Sequence, residues 1–200
     1  MSPIPPETIL QGKLVELIPL EKVHFEELTD RAQEKRIWEF IPITMSSAHD
    51  CIQAFTKAII ERDNGSQFPF VIYHKQDRKI IGSTRLMNIE AVHRKLEIGW
   101  TWLHPDYWAT AVNVECKLLL LTFCFETLQA IRVQLKTDEN NIRSRKAIAK
   151  IGGTFEGILR NDWIRDDGTF RNSAYFSIIH SEWEITKTQL NDLLHNTLTA

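Results

Sequence analysis

The pattern of apolar and polar positions changes sharply near the middle of the chain. Residues 96–103, LEIGWTWL, alternate as a strand does, and the apolar run VNVECKLLLL after the loop HPDYWATA favours a helix over about 113–129. Such a loop leaves the first N–H groups of the helix without partners, and the helix dipole attracts anions to them. We therefore expect a phosphorylated ligand at this loop.

The alternation in this strand predicts which side chains share a face. A period of two puts two sets of residues on opposite faces. The first set is Leu96, Ile98, Trp100 and Trp102, and the second is Glu97, Gly99, Thr101 and Leu103. Glu97 is therefore expected to face a different layer from the tryptophans.

The rest of the pattern predicts further strands and helices in mixed order. Helices are expected after Pro19–Glu21, from Ser46 or Ser47 to about residue 63, and over 141–151, before the pair Gly152–Gly153. Strands are expected over 13–17, 68–74, 79–88, 94–103, 131–137, 155–161 and 173–180, with a turn at 166–168 and an apolar loop at 37–44. This order predicts an α/β or α+β fold, in which helices flank a mixed sheet.

Composition and charge narrow the function classes. The chain has 200 residues, of which 43% are hydrophobic and 25% charged, so we expect one domain over residues 1–200. Its 24 basic and 26 acidic residues give a net charge of −2, which argues against nucleic acid or an anionic membrane as partner. With no charged leader and no apolar run near the ~20 residues of a membrane span, we expect a cytoplasmic protein.

Cysteine and histidine usage gives no sign of a metal or disulfide site. Cys51, Cys116 and Cys124 are odd in number and lack CxxC spacing, so we interpret them as reduced core residues. The seven histidines are scattered and form no HxxxH pair, so no metal site is predicted.

Three segments, in order, carry a family resemblance. LEIGWTWLHPDYW, KTDENNIRSRKAIAKIGGTFEGILR and RDDGTFRNSAYFSII resemble the GNAT superfamily of acetyl-CoA-dependent N-acetyltransferases, particularly its RimJ/RimL-like branch. The resemblance covers nearly the whole chain. It implies a single GNAT-like domain with a mixed, mostly antiparallel sheet, splayed between the strands at 94–103 and 131–137. It also implies acetyl-CoA as the acyl-donor co-substrate and no metal.

The family's pyrophosphate loop follows the pattern Gln/Arg-x-x-Gly-x-Gly/Ala, and this chain departs from all three defined positions. The matching residues are Trp108, Ala109, Thr110, Ala111, Val112 and Asn113. The resemblance still implies that the backbone N–H groups of 109–113 face the diphosphate. A left-handed backbone at Ala111 would cost roughly 1–2 kcal/mol, whereas a clash of its methyl with the diphosphate could abolish binding. The sequence leaves both outcomes open.

The resemblance also implies cofactor-binding or catalytic roles for four more residues, which are Trp102, Leu103, Asn141 and Ser144. The backbone of Trp102 and Leu103 would pair with the pantetheine arm. Gly99 suits a bulge that opens the sheet, or merely eases packing. Asn141 would hold the pantetheine and Ser144 would donate a proton to the departing thiolate. For Asn141 and Ser144 the alternative is helix capping.

Attack of an amine on the thioester requires a base, for which Glu97 is the main candidate and His104 a second one. Trp38, Trp100 and Trp102 could wall an acceptor pocket or belong to the core. Arg143, Arg145 and Lys146 could meet the phosphates of coenzyme A or form only a solvated helix face.

The leading hypothesis is an N-acetyltransferase that acts on a primary amine, which is a protein N-terminus, an amino acid or a small amine. The alternative is a GNAT-fold ligand-sensing or interaction module that has lost catalysis, because its loop lacks the glycines. The acceptor depends on loops such as 37–44 and 88–93, and a homodimer is left open.

Overall fold

The structure, a computed structural model, describes residues 4–41, 45 and 47–199. Eight strands lie within these residues: β1 (Leu10–Gln11), β2 (Val15–Pro19), β3 (Gln67–His74), β4 (Lys79–Glu90), β5 (Lys95–Leu103), β6 (Arg132–Asp138), β7 (Thr154–Ile164) and β8 (Phe170–Ile179). They form one sheet in the order β1-β2-β3-β4-β5-β6-β8-β7. β5 and β6 run parallel, and every other neighbouring pair is antiparallel.

Helices cover both faces of this sheet. They are α1 (Phe25–Ala32), α2 (Ala48–Asp63), α3 (Ala111–Thr122), α4 (Ile142–Lys150) and α5 (Trp183–Thr199), and a π-helical turn at Phe123–Thr127 continues α3. The mixed, mostly antiparallel sheet flanked by helices is therefore confirmed.

Two apolar clusters, one on each face, explain why the strands form here. Phe70 and Ile72 of β3 belong to the cluster that includes Trp183 of α5, whereas Val71 between them packs with Phe55 of α2. Because successive residues of a strand point to opposite faces, a strand covered on both sides reads as a continuous apolar run.

Some elements differ from the prediction. Strand β1 and helix α5 were not anticipated, although Trp183, Leu190 and Leu194 recur at helical spacing and are all buried. α2 begins after Ser47, whose Oγ accepts from the N–H of Asp50 at 3.2 Å, as a capping residue should. Residues 42–44 of the predicted loop, and Ser46, lie outside the described residues.

A buried carboxylate joins α3 to the hairpin of β1 and β2. Glu115 is 2% exposed, and its two oxygens accept hydrogen bonds of 2.8 Å from the N–H groups of Lys13, Leu14 and Val15. A Cβ added to Gly12 would lie 2.5 Å from this carboxylate, so only glycine fits there. The edge hairpin is thus fixed to the helix that starts beside the predicted phosphate loop.

The sheet splays where the prediction places the cleft. β5 and β6 pair only at Lys95, Leu96 and Glu97, which face Arg132, Val133 and Gln134. β5 continues to Leu103 and β6 to Asp138 without further pairing to each other. The carboxyl ends of two parallel strands therefore diverge around an open wedge.

A bulge in β5 overturns part of the predicted alternation. Arg85 of β4 faces Gly99, but Ser83, two residues away, faces Trp102, so β5 holds one extra residue. Trp100 adopts a positive φ of 50° at this point. Leu96, Ile98 and Leu103 accordingly share the α5-side cluster, and Trp102 lies in the other. Trp100 packs against that second cluster. The expectation that Glu97 faces away from the tryptophans is therefore wrong, because Glu97 and both tryptophans lie on one side of β5.

Candidate active site

The wedge between β5 and β6 encloses a cavity of about 280 Å³. Its walls come from β5, β6, α3, α4, the β7–β8 hairpin and the segment after α1. Seven of the ten predicted site residues line it, namely Glu97, Trp102, Leu103, Ala109, Asn113, Asn141 and Ser144. Thr110, Ala111 and Val112 do not; they line a separate pocket together with Leu14 and His74.

Gly99 is consistent with both interpretations that the sequence left open, a bulge in the strand and an easing of packing. It immediately precedes the bulge, although the left-handed residue is Trp100. A Cβ at Gly99 would lie 2.7 Å from Sδ of Met87 and 3.0 Å from Oε1 of Glu97. Glycine here lets both side chains pack over the strand, beside the cavity that they line.

Glu97 is a buried carboxylate with defined partners. It is 2% exposed, and its Oε2 accepts hydrogen bonds from Asn88 at 3.0 Å and from Gln134 at 2.9 Å. Nζ of Lys136 lies 3.7 Å from the same oxygen. These contacts fix the side chain through Oε2, while the hydrogen bonds among the described residues leave Oε1 for a ligand or water. A positioned carboxylate of this kind can accept a proton.

Lys117, which the sequence analysis did not single out, lies on the α3 side of the same cavity. It is 5% exposed, and its Nζ donates to Oγ1 of Thr101 at 2.6 Å. Thr101 in turn shares a hydrogen bond of 2.7 Å with Thr84. Burial lowers the pKa of Lys117 from 10.5 to about 8. No carboxylate of the described residues forms an ion pair with it.

The predicted phosphate loop has a different strained residue from the one expected. α3 starts at Ala111, two residues before the predicted start, and Thr110 caps it by accepting from the N–H of Val112 at 3.3 Å. Ala109, with φ of 59°, is the residue in the left-handed region. A left-handed Ala111 is therefore excluded. The free-energy cost of a left-handed backbone falls instead on Ala109, one position before the capping residue Thr110.

Trp108 closes the loop over the strand end. Its Nε1 donates to the carbonyl oxygen of Leu103 at 2.8 Å. The guanidinium of Arg143 lies 3.6 Å from the centre of its ring, within cation–π distance. Trp108 therefore connects β5 on one side of the wedge with α4 on the other.

Asn141, immediately before α4, caps this helix, which was the alternative to a role in holding the pantetheine. Its Oδ1 accepts from the N–H of Ser144 at 2.9 Å and so caps the helix. The cap uses the amide oxygen, and both residues line the cavity. Of the three basic residues, Arg143 lines it as well, whereas Arg145 donates to the carbonyl of Glu139 at 3.1 Å and Lys146 is exposed.

Of the remaining candidate site residues, two line the cavity and two lie outside its lining. Trp100 and Trp102 line the cavity, and Trp38 packs against Trp102 with ring centres 5.5 Å apart. His104 is no part of the cavity lining. Its Nδ1 accepts from the N–H of Asp106 and lies 3.2 Å from the Asp106 carboxylate, as in a turn residue.

Electrostatically the cavity is cationic. Its charged lining residues are Glu97, Lys117, Lys136, Arg143 and Arg171. Four cations thus face one carboxylate, in a chain whose net charge is −2. The positive charge of this cavity, with a helix N-terminus beside it, is complementary to an anionic ligand.

Within the described ranges, no three His, Cys, Asp or Glu side chains come together as a metal site. No helix among the described residues qualifies as a transmembrane segment. Cys51, Cys116 and Cys124 are buried free thiols.

A splayed parallel pair beside a helix N-terminus is what the family resemblance implies, and the comparisons with known proteins agree with that resemblance. The profile of the acetyltransferase (GNAT) domain matches residues 15–154, and the chain belongs to this family of acyltransferases. The fold assignment made from the three sequence segments is thereby confirmed.

Several relatives show how far the similarity extends. YdaF of Bacillus subtilis (strain 168), named as a candidate ribosomal N-acetyltransferase, is 31% identical over 54% of this chain; the match spans 58% of YdaF, less than two thirds of its length. The solved structure of a candidate acetyltransferase from T. thermophilus is 28% identical, with a TM-score of 0.86, over 97% of this chain and 100% of that one.

A third comparison concerns the fold alone. Mycobacterium smegmatis RimJ, solved in complex with CoA-disulfide, is 20% identical, with a TM-score of 0.78, over 92% of this chain and 91% of that one.

Proposed function

We propose that this chain transfers the acetyl group of acetyl-CoA to a primary amine by direct attack. The amine belongs to a protein N-terminus, an amino acid or a small amine. The observation that supports this proposal is that Glu97 and Ser144, carried by different elements, line the same cationic cavity at the splay. The ribosomal name of YdaF makes protein N-termini worth testing first among the three acceptor classes.

In this reaction the amine nitrogen forms a bond to the acetyl carbon while the carbon–sulfur bond breaks. Glu97 accepts the proton that the amine releases, directly or through water. Ser144 supplies a proton to the departing thiolate and regains one from water, to which Glu97 returns the proton taken from the amine. Preorganised groups of this kind contribute about 10²–10⁴-fold each to a rate.

The proposed cofactor contacts are those that the family resemblance implies. The N–H groups of 109–113 at the start of α3 would face the diphosphate, with Arg143 beside them; Ala109, Asn113 and Arg143 support this because they line the cavity. The backbone of Trp102 and Leu103 would pair with the pantetheine arm, and Asn141 would hold that arm through its amide nitrogen. The three buried thiols support a reducing, cytoplasmic setting. The homodimer stays a prediction.

The test is release of coenzyme A thiol from acetyl-CoA with a panel of amines, first for the unchanged protein. Glu97→Gln and Ser144→Ala should lower kcat by about tenfold or more, without changing the midpoint of thermal unfolding by more than a few degrees. Glu184→Gln, at an exposed position of α5 outside the cavity lining, is the matched control and should leave kcat unchanged. Unaltered turnover in both site variants would refute the assigned roles.

One observation favours the alternative, a ligand-binding module without catalysis. The carbonyl of Leu103, which the pantetheine arm would need, already accepts from the Trp108 indole. Calorimetry and the thiol assay separate the two functions, because a module with a degenerate loop would not bind acetyl-CoA at millimolar concentration and would release no thiol with any amine. Turnover with one amine would exclude the module.

A further inference from the structure

Arg171 of β8 has no part in the mechanism above, yet it lines the cavity. Its side chain is only 8% exposed. Its Nε is buried and has no hydrogen-bond partner among the described residues. A guanidinium carries five N–H donors, and burying them without acceptors is costly.

The nearest carboxylate does not satisfy this group. Oδ2 of Asp138 lies 3.8 Å from Nε of Arg171, beyond hydrogen-bond distance. The same oxygen receives Arg165 at 2.5 Å, and Oδ1 accepts from the N–H of Asn140 at 2.9 Å. Asp138 is therefore occupied by other donors, and the cavity is the side from which Arg171 can gain an acceptor.

A continuous set of contacts connects Arg171 with the proposed base. Lys136 lies 3.7 Å from Glu97, and its Nζ is 5.5 Å from the centre of the Trp163 ring. Trp163 is the cross-strand partner of Arg171, and both line the cavity. A molecule with its amine at Glu97 can therefore extend along Lys136 and Trp163 toward Arg171.

The charged side chains along this path indicate which charged group the acceptor carries. Lys136 lies 3.7 Å from the Glu97 carboxylate, and Arg171 lies 3.8 Å from that of Asp138, whose oxygens already accept from Arg165 and from the N–H of Asn140. Arg143 lies at the stacked contact with Trp108 near the phosphate loop. Arg171 remains as a planar fork of donors on the β7–β8 side. Such a fork matches the two oxygens of a carboxylate.

We propose that Arg171 binds a carboxylate of the acceptor, so that the acceptor is an amine that also carries a carboxylate. This inference rests on the proposed acetyl transfer, because it names the acceptor class of that reaction. It makes Arg171 a specificity-determining residue.

The experiment uses acceptors in matched pairs, each an acid and its uncharged amide with the same amine. Three pairs differ in the spacing between the two groups: an α-amino acid, an amino acid with an amine at the end of its side chain, and a dipeptide. The unchanged protein should show a kcat/KM at least about tenfold higher for the acid in one pair or more, mainly through KM. Equal values for acid and amide in every pair would overturn the proposal.

Variants attribute the preference to Arg171. In Arg171→Gln the ratio of acid to amide should fall to near one, and Arg171→Lys should keep part of the preference. Arg160→Gln removes an exposed arginine of β7 outside the cavity lining and should keep the full ratio. A preference for the acid that persists in Arg171→Gln would also overturn the proposal. Circular dichroism melts check that each variant folds.

A binding measurement separates this inference from the proposed function. The same pairs are titrated by calorimetry into protein saturated with coenzyme A. Tighter binding of the acid that is lost in Arg171→Gln would support the carboxylate site, even if no amine were acetylated and the proposed function failed. Equal binding of acid and amide, together with turnover, would overturn the carboxylate site and leave the acetyltransferase proposal intact.

Discussion

Arg143 stacks on Trp108 with its guanidinium carbon 3.6 Å from the ring centre, although the two residues belong to opposite sides of the splayed sheet. The contact holds an otherwise exposed cation at the mouth of the cavity, beside the loop at 109–113. An arginine fixed in this way loses less conformational freedom when it meets a phosphate.

Arg143→Ala should therefore weaken acetyl-CoA binding about three- to tenfold, since one charge-assisted contact is lost. Titration calorimetry at low and moderate salt measures this, and the loss should shrink as salt screens the phosphates. Lys146→Ala removes an exposed cation of the same helix outside the cavity lining and serves as the control. Equal weakening in both variants would mean that only the net charge of α4 matters.

Replacing the two loop alanines by glycine should have opposite effects on stability. Ala109 has φ of 59°, so glycine should raise the free energy of unfolding by about 0.5–1 kcal/mol after its greater freedom in the unfolded chain is counted. Ala111 is buried and is the first residue of α3, so glycine at this position should lower the free energy of unfolding by about 0.5–1 kcal/mol. Denaturant unfolding gives both values, and a change of the same sign would contradict this account of the loop.

The buried Lys117 should make stability depend on pH in the alkaline range. Its folded pKa of about 8 lies below its ordinary 10.5, so below pH 8 both states are protonated and the folded state bears the full cost of a buried charge. Between the two values the folded protein releases the proton first, and stability rises with pH. Lys117→Met should thus be more stable than the unchanged protein at neutral pH, by at most about 3 kcal/mol.

Denaturant unfolding at about pH 7, 8.5 and 10 tests this dependence. The advantage of Lys117→Met should shrink across that series. Lys150→Met, at an exposed position of α4, should show no such trend. A difference that stays constant with pH would mean that Lys117 is not charged in the folded protein at neutral pH.

Glu115→Gln should lower the free energy of unfolding by about 2–4 kcal/mol. The two oxygens of Glu115 accept hydrogen bonds from three backbone N–H groups. The amide of glutamine has only one oxygen, and its NH₂ group would face these N–H groups as a donor facing donors. Glu16→Gln, which breaks only the partly exposed pair with Lys75, should cost less than about 1 kcal/mol. Thermal unfolding compares the two, and a loss in Glu115→Gln as small as in Glu16→Gln would contradict the structural role.

The sequence pattern predicts most strands, because burial on one or both faces leaves a period that can be read directly, whereas the splay was expected only from the family resemblance. It fails on β5 beyond Ile98, since a bulge shifts the period by one and depends on the packing of Met87 against Gly99. Local sequence also cannot say which alanine of the loop is left-handed, because that depends on where Thr110 caps α3.

Within the candidate site, the sequence singled out residues on contiguous motifs. Glu97, Asn141 and Ser144 lie on such motifs and do line the cavity. Lys117 stands inside an apolar helical run, and Arg171 lies in the segment RDDGTFRNSAYFSII, to which the resemblance gave no site role. The burial of Lys117 and the unpartnered Nε of Arg171 are visible only when the tertiary neighbours are known.

The carboxylate of Glu115 has a consequence for how the protein can be altered. It ties the β1–β2 hairpin to α3, whose first turn forms the candidate diphosphate loop a single helical turn away. A bulky residue at Gly12 would push against this helix from the far edge of the sheet. We therefore expect changes in the outermost hairpin to alter cofactor affinity, and cofactor binding to protect the amides of residues 13–15 from hydrogen exchange.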